Sequence, residues 1–312
     1  MSFKYLFGPI NSRRLGISLG IDMVPFKTCS LDCVYCECGA TTKLTCDRRE
    51  YINTSEVKQE LSDFLSKNPK IDYVTFGGSG EPTLNSSIGE ILQFIKSSFP
   101  QYKTALLTNG TLFYMPGVRT EVLDFDLICP SLDAITDSAF KKVNRPSDTL
   151  QNQMIIDGLI EFSKVYKGLL WVEVFIVPGV NDSEEELKLF KETLQKIDPD
   201  RVQLNSLDRP GTCDWIQPAP SQQLEKIAAF LSPLPVEIIS RSSSRPISDI
   251  VGMDIEESIL SLIRRRPSTI EELAVISGKT INEIKSILEH LICNKKAENY
   301  KIGEKLFYRI CS

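Results

Sequence analysis

Cys29-Ser30-Leu31-Asp32-Cys33-Val34-Tyr35-Cys36 brings three thiols into one short loop, at spacings of four and three. Three thiolates fill three of the four iron corners of a [4Fe–4S] cluster, because each iron of such a cluster normally takes one protein ligand. The fourth iron is then open to a small molecule, and that opening separates chemistry from electron storage. Zinc is the competing reading, with Cys33, Cys36, Cys38 and Cys46 as ligands. C-x-C with a distant fourth thiol is not the usual zinc-finger spacing, and the single histidine, His290, lies far along the chain.

Nine cysteines in 312 residues are well below the density of a disulfide scaffold. The chain opens Met1-Ser2-Phe3-Lys4-Tyr5, with no charged-then-apolar signal segment. No apolar run is long enough to span a bilayer. The expectation is a cytoplasmic chain with reduced thiols and no membrane partner, in which close-set cysteines bind metal rather than pair. The length, with 42% hydrophobic and 25% charged residues, suggests one large globular domain or one with a small appendage. A net charge of −5 excludes a global attraction to nucleic acid or anionic membrane. Any contact with nucleic acid has to come from a local patch.

Outward from the cysteine loop, short apolar runs alternate with longer amphipathic ones from about residue 17 to 240. Strands are expected at Ile17–Val24, Ile71–Phe76, Lys103–Thr108, Asp126–Ser131, Leu170–Val177 and Arg201–Asn205. Their near-continuous Val, Ile, Leu and Phe suit parallel strands buried on both faces. Between them, Thr54–Ser66 and Ile88–Phe99 carry apolar residues on one helical face. Ser183–Lys196 opens with Ser183-x-x-Glu186, a capping box. Six such units predict an α/β fold: a partial (β/α)6 TIM-like barrel over residues 1–240, with functional groups at the carboxyl ends of its strands. Residues 241–254, with Ser242-Ser243-Ser244-Arg245-Pro246, read as a linker. Residues 255–312 read as a helix, then two capped helices opened by Ser268-x-x-Glu271 and Thr280-x-x-Glu283, then a hairpin. That order resembles a winged-helix domain.

Polar groups gather at the expected strand ends. Gly77-Gly78-Ser79-Gly80-Glu81-Pro82 follows the second strand; its glycines let backbone approach a ligand, and Glu81 can accept from an ammonium group. Thr108-Asn109-Gly110 ends the third strand, where Asn109 either faces the barrel mouth or makes a plain turn. Ser131 and Asp133 end the fourth; spaced by two, both side chains can point one way toward ribose hydroxyls, although Asp133 can equally cap a helix. Arg145 can pair its planar fork with a carboxylate of cofactor or substrate, or simply face solvent. Val177 ends the fifth strand and can pack an adenine, with Asn181 and Asp182 starting the next helix. Asn205 ends the sixth and can hydrogen-bond cofactor or substrate. Tyr35, beside the cysteines, is expected to cover the adenine or the cluster.

Cys38 and Cys46 are expected to be unligated, with a second metal as the alternative. Cys129, Cys213, Cys293 and Cys311 read as buried or incidental, with a substrate-facing role open for Cys213. His290 reads as a surface histidine of the last long helix.

The C-x3-C-x2-C loop with its aromatic before the third cysteine, followed by Gly-Gly-x-Gly-Glu-Pro, resembles the radical S-adenosylmethionine (SAM) enzymes across residues 17–240. Phe7-Gly8-Pro9, Ser12-Arg13-Arg14-Leu15-Gly16-Ile17-Ser18-Leu19-Gly20, Pro25-Phe26-Lys27-Thr28-Cys29, Val143-Asn144-Arg145-Pro146 and Gly179-Val180-Asn181-Asp182 narrow the likeness. They resemble poorly characterised members related to the wyosine-base synthases of tRNA. Wyosine synthases carry a second cluster on upstream cysteines; this chain has none before Cys29, which argues against that reaction. The resemblance implies SAM chelated to the open iron, with Glu81 on its amino group. It also implies an electron from a one-electron reductase of flavodoxin or ferredoxin type, and reductive cleavage to a 5′-deoxyadenosyl radical. An RNA or protein substrate held by the winged-helix-like appendage is one expectation, and a small metabolite another. A different class of function uses the same parts: an iron–sulfur redox sensor whose winged helix reads nucleic acid through Arg264-Arg265-Arg266 and the wing lysines. Ten Lys/Arg against eight Asp/Glu over residues 255–312 is a weak charge for that role.

Overall fold

The computed structural model describes residues 3–12, 14–239, 255–302 and 305–311. The predicted linker, residues 241–254, lies outside them.

All six predicted strands form, as β2 (Gly16–Ile21), β5 (Tyr73–Phe76), β6 (Lys103–Thr108), β7 (Leu127–Pro130), β8 (Leu169–Ile176) and β9 (Arg201–Ser206). They pair parallel in chain order. Two further strands close the row: β1 (Leu6–Ser12), antiparallel on β2, and β10 (Val236–Ile238), parallel on β9. The eight-stranded sheet runs β1-β2-β5-β6-β7-β8-β9-β10 and curves into a partial TIM-like barrel. Sequence periodicity missed β1 because Gly8-Pro9 interrupts its apolar run, and the ladder shows an irregularity between Phe7 and Ile10. The two-residue strands β3 (Thr28–Cys29) and β4 (Lys43–Leu44) pair beside the cysteine loop.

Helices α1 (Thr54–Leu65), α2 (Ile88–Ser98), α3 (Pro116–Glu121), α4 (Asp137–Val143), α5 (Asn152–Val165), α6 (Glu184–Ile197) and α7 (Ser221–Leu231) connect the strands. Alternate strand residues such as Leu19, Ile21, Val74, Phe76 and Leu106 are buried in one apolar core with the inner faces of these helices. The other alternation, Ser18, Thr75, Ala105, Cys129, Glu173 and Gln203, belongs to the opposite face. Glu186 makes only half of the predicted capping box. Ser183 Oγ accepts from Glu186 N, but the Glu186 carboxylate reaches across to the N–H groups of Ile135 and Thr136. Two orphan donors in the loop after β7 need it more than the N-cap does.

Beyond the barrel lie α8 (Ile255–Arg265), α9 (Ile270–Ser277), α10 (Ile281–Cys293) and the hairpin β11 (Ala297–Ile302) and β12 (Lys305–Ile310). Ile259, Ile263, Leu273, Ile284, Leu288 and Leu291 give this segment a core of its own. The capping box at Thr280 and Glu283 forms as expected, whereas the first box shifts by one residue to Thr269 and Glu272. Gly278 ends α9 in the left-handed region, where glycine carries no Cβ penalty. Among the described residues no helix is long and apolar enough to cross a membrane.

Candidate functional site

The cysteine loop lies across the carboxyl ends of the barrel strands, and backbone contacts fix it there. Its backbone runs against the ends of β5 and α4: Glu81 N donates to Thr28 O, Val34 N to Val143 O, and Asp32 N to Asn144 O. Gly80 is required by this approach, since a Cβ there would fall on the Thr28 carbonyl oxygen and Val24. Gly78 (φ +137°) would meet Asp22 in the same way, and a Cβ on Gly77 would press on Leu107 at 3.3 Å. These glycines bring protein against protein. Of the three, Gly80 makes its close approach to the backbone that leads into the cysteine loop.

Each of the three sulfurs receives one side-chain N–H donor, and each of these donors comes from a different part of the chain. Asn109 Nδ2, at the end of β6, donates to Cys29 Sγ (3.5 Å). Asn144 Nδ2, after α4, donates to Cys33 Sγ (3.4 Å). Lys27 Nζ, before the loop, donates to Cys36 Sγ (3.0 Å). The Cys38 thiol and then Lys27 pull Cys36 down to about 6, against its burial. Burial pushes Cys29 up to about 12 and Cys33 well above its ordinary value. Burial also opposes the Lys27 charge, but Cys36 more than offsets it and holds the lysine above its usual range.

Three observations bear on whether this donor set fits a [4Fe–4S] cluster. All three cysteines are free. Among the described residues no three His, Cys, Asp or Glu side chains converge on a single ion, the geometry that a tetrahedral zinc set such as Cys33, Cys36, Cys38 and Cys46 would need. A cluster instead places each thiolate on its own iron. Finally, Asn144 Oδ1 is buried without a partner while its amide nitrogen serves Cys33, leaving an acceptor idle beside the loop. Free thiols on one loop, each with a side-chain N–H donor, suit a cluster that takes one thiolate per iron.

Around this loop the remaining expected residues are drawn together, largely by one another. Glu81 is buried, and its Oε1 accepts from Thr83 N, Thr83 Oγ1 and Thr108 Oγ1, while Oε2 accepts only from Asn109 N (2.7 Å). Burial raises its pKa against those hydrogen bonds. Pro82 opens the short 3-10 turn whose N-cap is Glu81. Asn109 joins Glu81 to the loop, and its Oδ1 also accepts from Thr111 N, so turn and site roles coincide.

Asp133 accepts from Tyr35 Oη, Asn144 Nδ2 (2.8 Å) and Phe175 N (3.0 Å), so both its oxygens already have partners within the protein. Burial raises it to about 6 despite these bonds. The cap of α4 is Thr136, not Asp133. Ser131 lies beside Asp133 and is half-buried.

Arg145 (φ +43°) is neither exposed nor turned to an open site. Its fork pairs with Asp32 Oδ2 (2.9 Å) of the cysteine loop and reaches Thr212 Oγ1 and Cys213 Sγ, so the carboxylate it was expected to find is internal. Tyr35 stacks on Phe175 with centroids 3.8 Å apart, in an apolar cluster with Val34, Val177 and Ile216. Asn181 builds the loop after β8, and the cap of α6 is Ser183. Asn205 holds Glu173 Oε1 (2.8 Å). Cys38 Sγ donates to the Arg265 carbonyl (2.8 Å), and Cys46 packs against the apolar core. Cys129 is buried and Cys293 is exposed. His290 is a surface residue on Glu256.

Sequence reasoning missed a second polar layer beneath this rim. Arg14 Nη1 donates to Glu173 Oε2 (2.6 Å) and to Gln203 Oε1 (3.4 Å), and Gln203 Nε2 is buried without a partner. A signal existed: Glu173 sits between Trp171 and Phe175 in an apolar strand, at the period that faces the barrel interior. It also missed the docking of the C-terminal segment. Arg209 pairs with both oxygens of Glu272 and with Pro267 O, and Arg265 pairs with Asp22 and lies over the Phe7 ring. Arg265, expected to meet phosphate, is thus engaged within the molecule.

Residues 23–190 match the family model described as the radical SAM superfamily. The chain is 37% identical over 306 residues to a UPF0026 protein of Helicobacter pylori (strain J99), covering 97% of this chain and 96% of that one. It is 31% identical over 310 residues to a UPF0026 protein of Methanocaldococcus jannaschii, covering 97% and 94%. A Brachyspira hyodysenteriae protein named GTPase Obg is 34% identical over 308 residues, but the chain spans only 45% of its length. That name does not extend to these residues by motif: Gly278-Lys279-Thr280 resembles the end of a phosphate-binding loop, yet Leu273 stands where its first glycine belongs. A radical SAM methyltransferase from Sphaerobacter thermophilus shares the fold, with a TM-score of 0.53 at 16% identity over 71% of this chain and 66% of that one.

Proposed function

The chain belongs to the radical SAM superfamily, and from that premise we propose that Cys29, Cys33 and Cys36 hold the [4Fe–4S] cluster whose open iron binds SAM. The cluster and SAM are the cofactors of this class of enzyme; together they supply a 5′-deoxyadenosyl radical that abstracts hydrogen from an unreactive C–H bond. What carries the reading is the set of three N–H donors, one to each sulfur, built from the ends of separate elements. Hydrogen bonds to sulfur of this kind are what a protein supplies to a cluster.

The chain's other residues take roles consistent with their positions. Glu81 Oε2, with one hydrogen bond against three on Oε1, accepts from the SAM ammonium. Ser131 meets the ribose, and the Tyr35–Phe175 stack with Val177 walls the adenine. Asp133, Asn109 and Arg145 position the cysteine loop rather than touch the cofactor. The substrate occupies the barrel interior between this rim and the Arg14–Glu173–Gln203 floor, where the unpaired Gln203 amide offers a donor. The electron comes from a one-electron reductase of flavodoxin or ferredoxin type. Residues 255–312 are read as a winged-helix-like domain that holds the substrate. The likeness of the motifs to wyosine-base synthases favours RNA there, with protein as the second choice.

The test is anaerobic. The protein is reconstituted with iron and sulfide, reduced, given SAM, and assayed for 5′-deoxyadenosine. Replacing any one of Cys29, Cys33 and Cys36 with Ala is expected to abolish both the iron–sulfur absorbance and SAM cleavage. Full cleavage by any of the three variants overturns the assignment.

A further inference from the structure

Lys27 has three properties that are costly together. It is almost fully buried, at 3% exposure. Its backbone is left-handed (φ +56°), a conformation that costs a non-glycine residue on the order of 1–3 kcal/mol. Among the described residues it forms no ion pair with a carboxylate, the paired cations on either side of it along the chain being Arg14 and Arg48, although a buried ammonium needs an anionic partner. Surrounding bonds hold it in place: Lys27 N donates to Ser79 O, and Lys27 O accepts from Thr42 N and Lys43 N. Among the described residues the one hydrogen bond of its side chain goes to Cys36 Sγ. A strained, desolvated cation aimed at a ligand sulfur has a role at that sulfur or it has none.

We propose that Lys27 is a positioning and tuning residue for the cluster, its ammonium lying against Cys36 to favour the state that carries the extra electron. The inference rests on the cluster assignment above and deepens it. Hydrogen bonds to the sulfurs and net charge nearby both move cluster potentials. The amides of Asn109 and Asn144 supply hydrogen bonds to Cys29 and Cys33, but only Lys27 adds a full positive charge. Attraction between that charge and one added electron favours reduction, and in a buried site water screens it little. The co-reactant is the one-electron donor, which loses the electron that the cluster gains. No bond to Lys27 forms or breaks.

The experiment compares wild type with Lys27→Met, Lys27→Gln and Lys27→Arg, each reconstituted anaerobically, by potentiometric EPR titration without SAM. All replacements share the left-handed backbone cost, so the comparison isolates the side chain. Lys27→Met is expected to lower the reduction equilibrium constant about tenfold, or ~59 mV for one electron. Lys27→Arg should hold the potential near wild type, and Lys27→Gln should fall with Met. Where Met fails to hold a cluster, the Gln and Arg pair decides. A midpoint unchanged in the uncharged variants overturns the proposal, and so does an Arg variant shifted as far as Gln. An unchanged midpoint with weakened SAM binding would also overturn it, moving Lys27 to the SAM carboxylate. The cluster reading fails by a different result: a wild-type protein that assembles no cluster.

Discussion

At the barrel rim, the single carboxylate of Asp133 ties together Tyr35 of the cysteine loop, Asn144 after α4 and the backbone of β8. The C-terminal segment meets the same rim mainly through two arginine–carboxylate pairs, Arg209–Glu272 and Arg265–Asp22. The rim is a network in which each group serves several partners, so removing one strands the others. The segment has its own apolar core and is joined by a few charged contacts. Such a joint can open without unfolding either side. The first construction suits fixed geometry, the second a joint between two separately packed bodies.

The comparison breaks most readily at Asp133. Asp133→Ala leaves three donors without an acceptor and is expected to destabilise the barrel by about 4 kcal/mol, read from urea unfolding of the iron-free protein. A loss under 1 kcal/mol would mean the rim is no network. Its titration is the next largest effect. The folded value of about 6 lies above the ordinary 3.8, so the folded state holds the proton more tightly. Stability from this group is therefore full below pH 4 and is lost as pH rises through 6, on the order of 3 kcal/mol. Urea midpoints of wild type should fall across that window relative to those of Asp133→Asn.

The joint is sharpened by Arg209→Met, expected to cost about 2 kcal/mol, below the range for fully buried pairs because Glu272 is 31% exposed. Hydrogen exchange should quicken in residues 255–302 and not in β5–β9; equal acceleration in both would show one cooperative unit. The smallest effect is Thr280→Ala, about 1 kcal/mol from the lost cap of α10, seen as faster exchange in the first turn of that helix alone.

Much of the architecture was legible because buried parallel strands write their burial into continuous apolar runs, and all six were placed to within a few residues. β1 escaped because Gly8-Pro9 reads as a turn, and β10 because three residues carry no period. At the site, Glu81, Asp133 and Arg145 could be located but their partners could not. A polar residue at a strand end announces a need for hydrogen bonds and leaves open whether ligand or protein meets it. Arg145 and Asp133 found protein. Lys27 stood within a stretch that narrowed the likeness but carried no sign of its role, since neither burial nor a left-handed backbone is visible in a lysine flanked by Phe26 and Thr28.

Gly80 has a bearing on how relatives of this chain are recognised. Its bare backbone is demanded by the Thr28 carbonyl, a contact that persists whether or not any cofactor is present. A descendant that lost Cys29, Cys33 and Cys36 would still be under the same steric pressure to keep glycine there. Gly80 thus marks the fold, whatever the three thiols do.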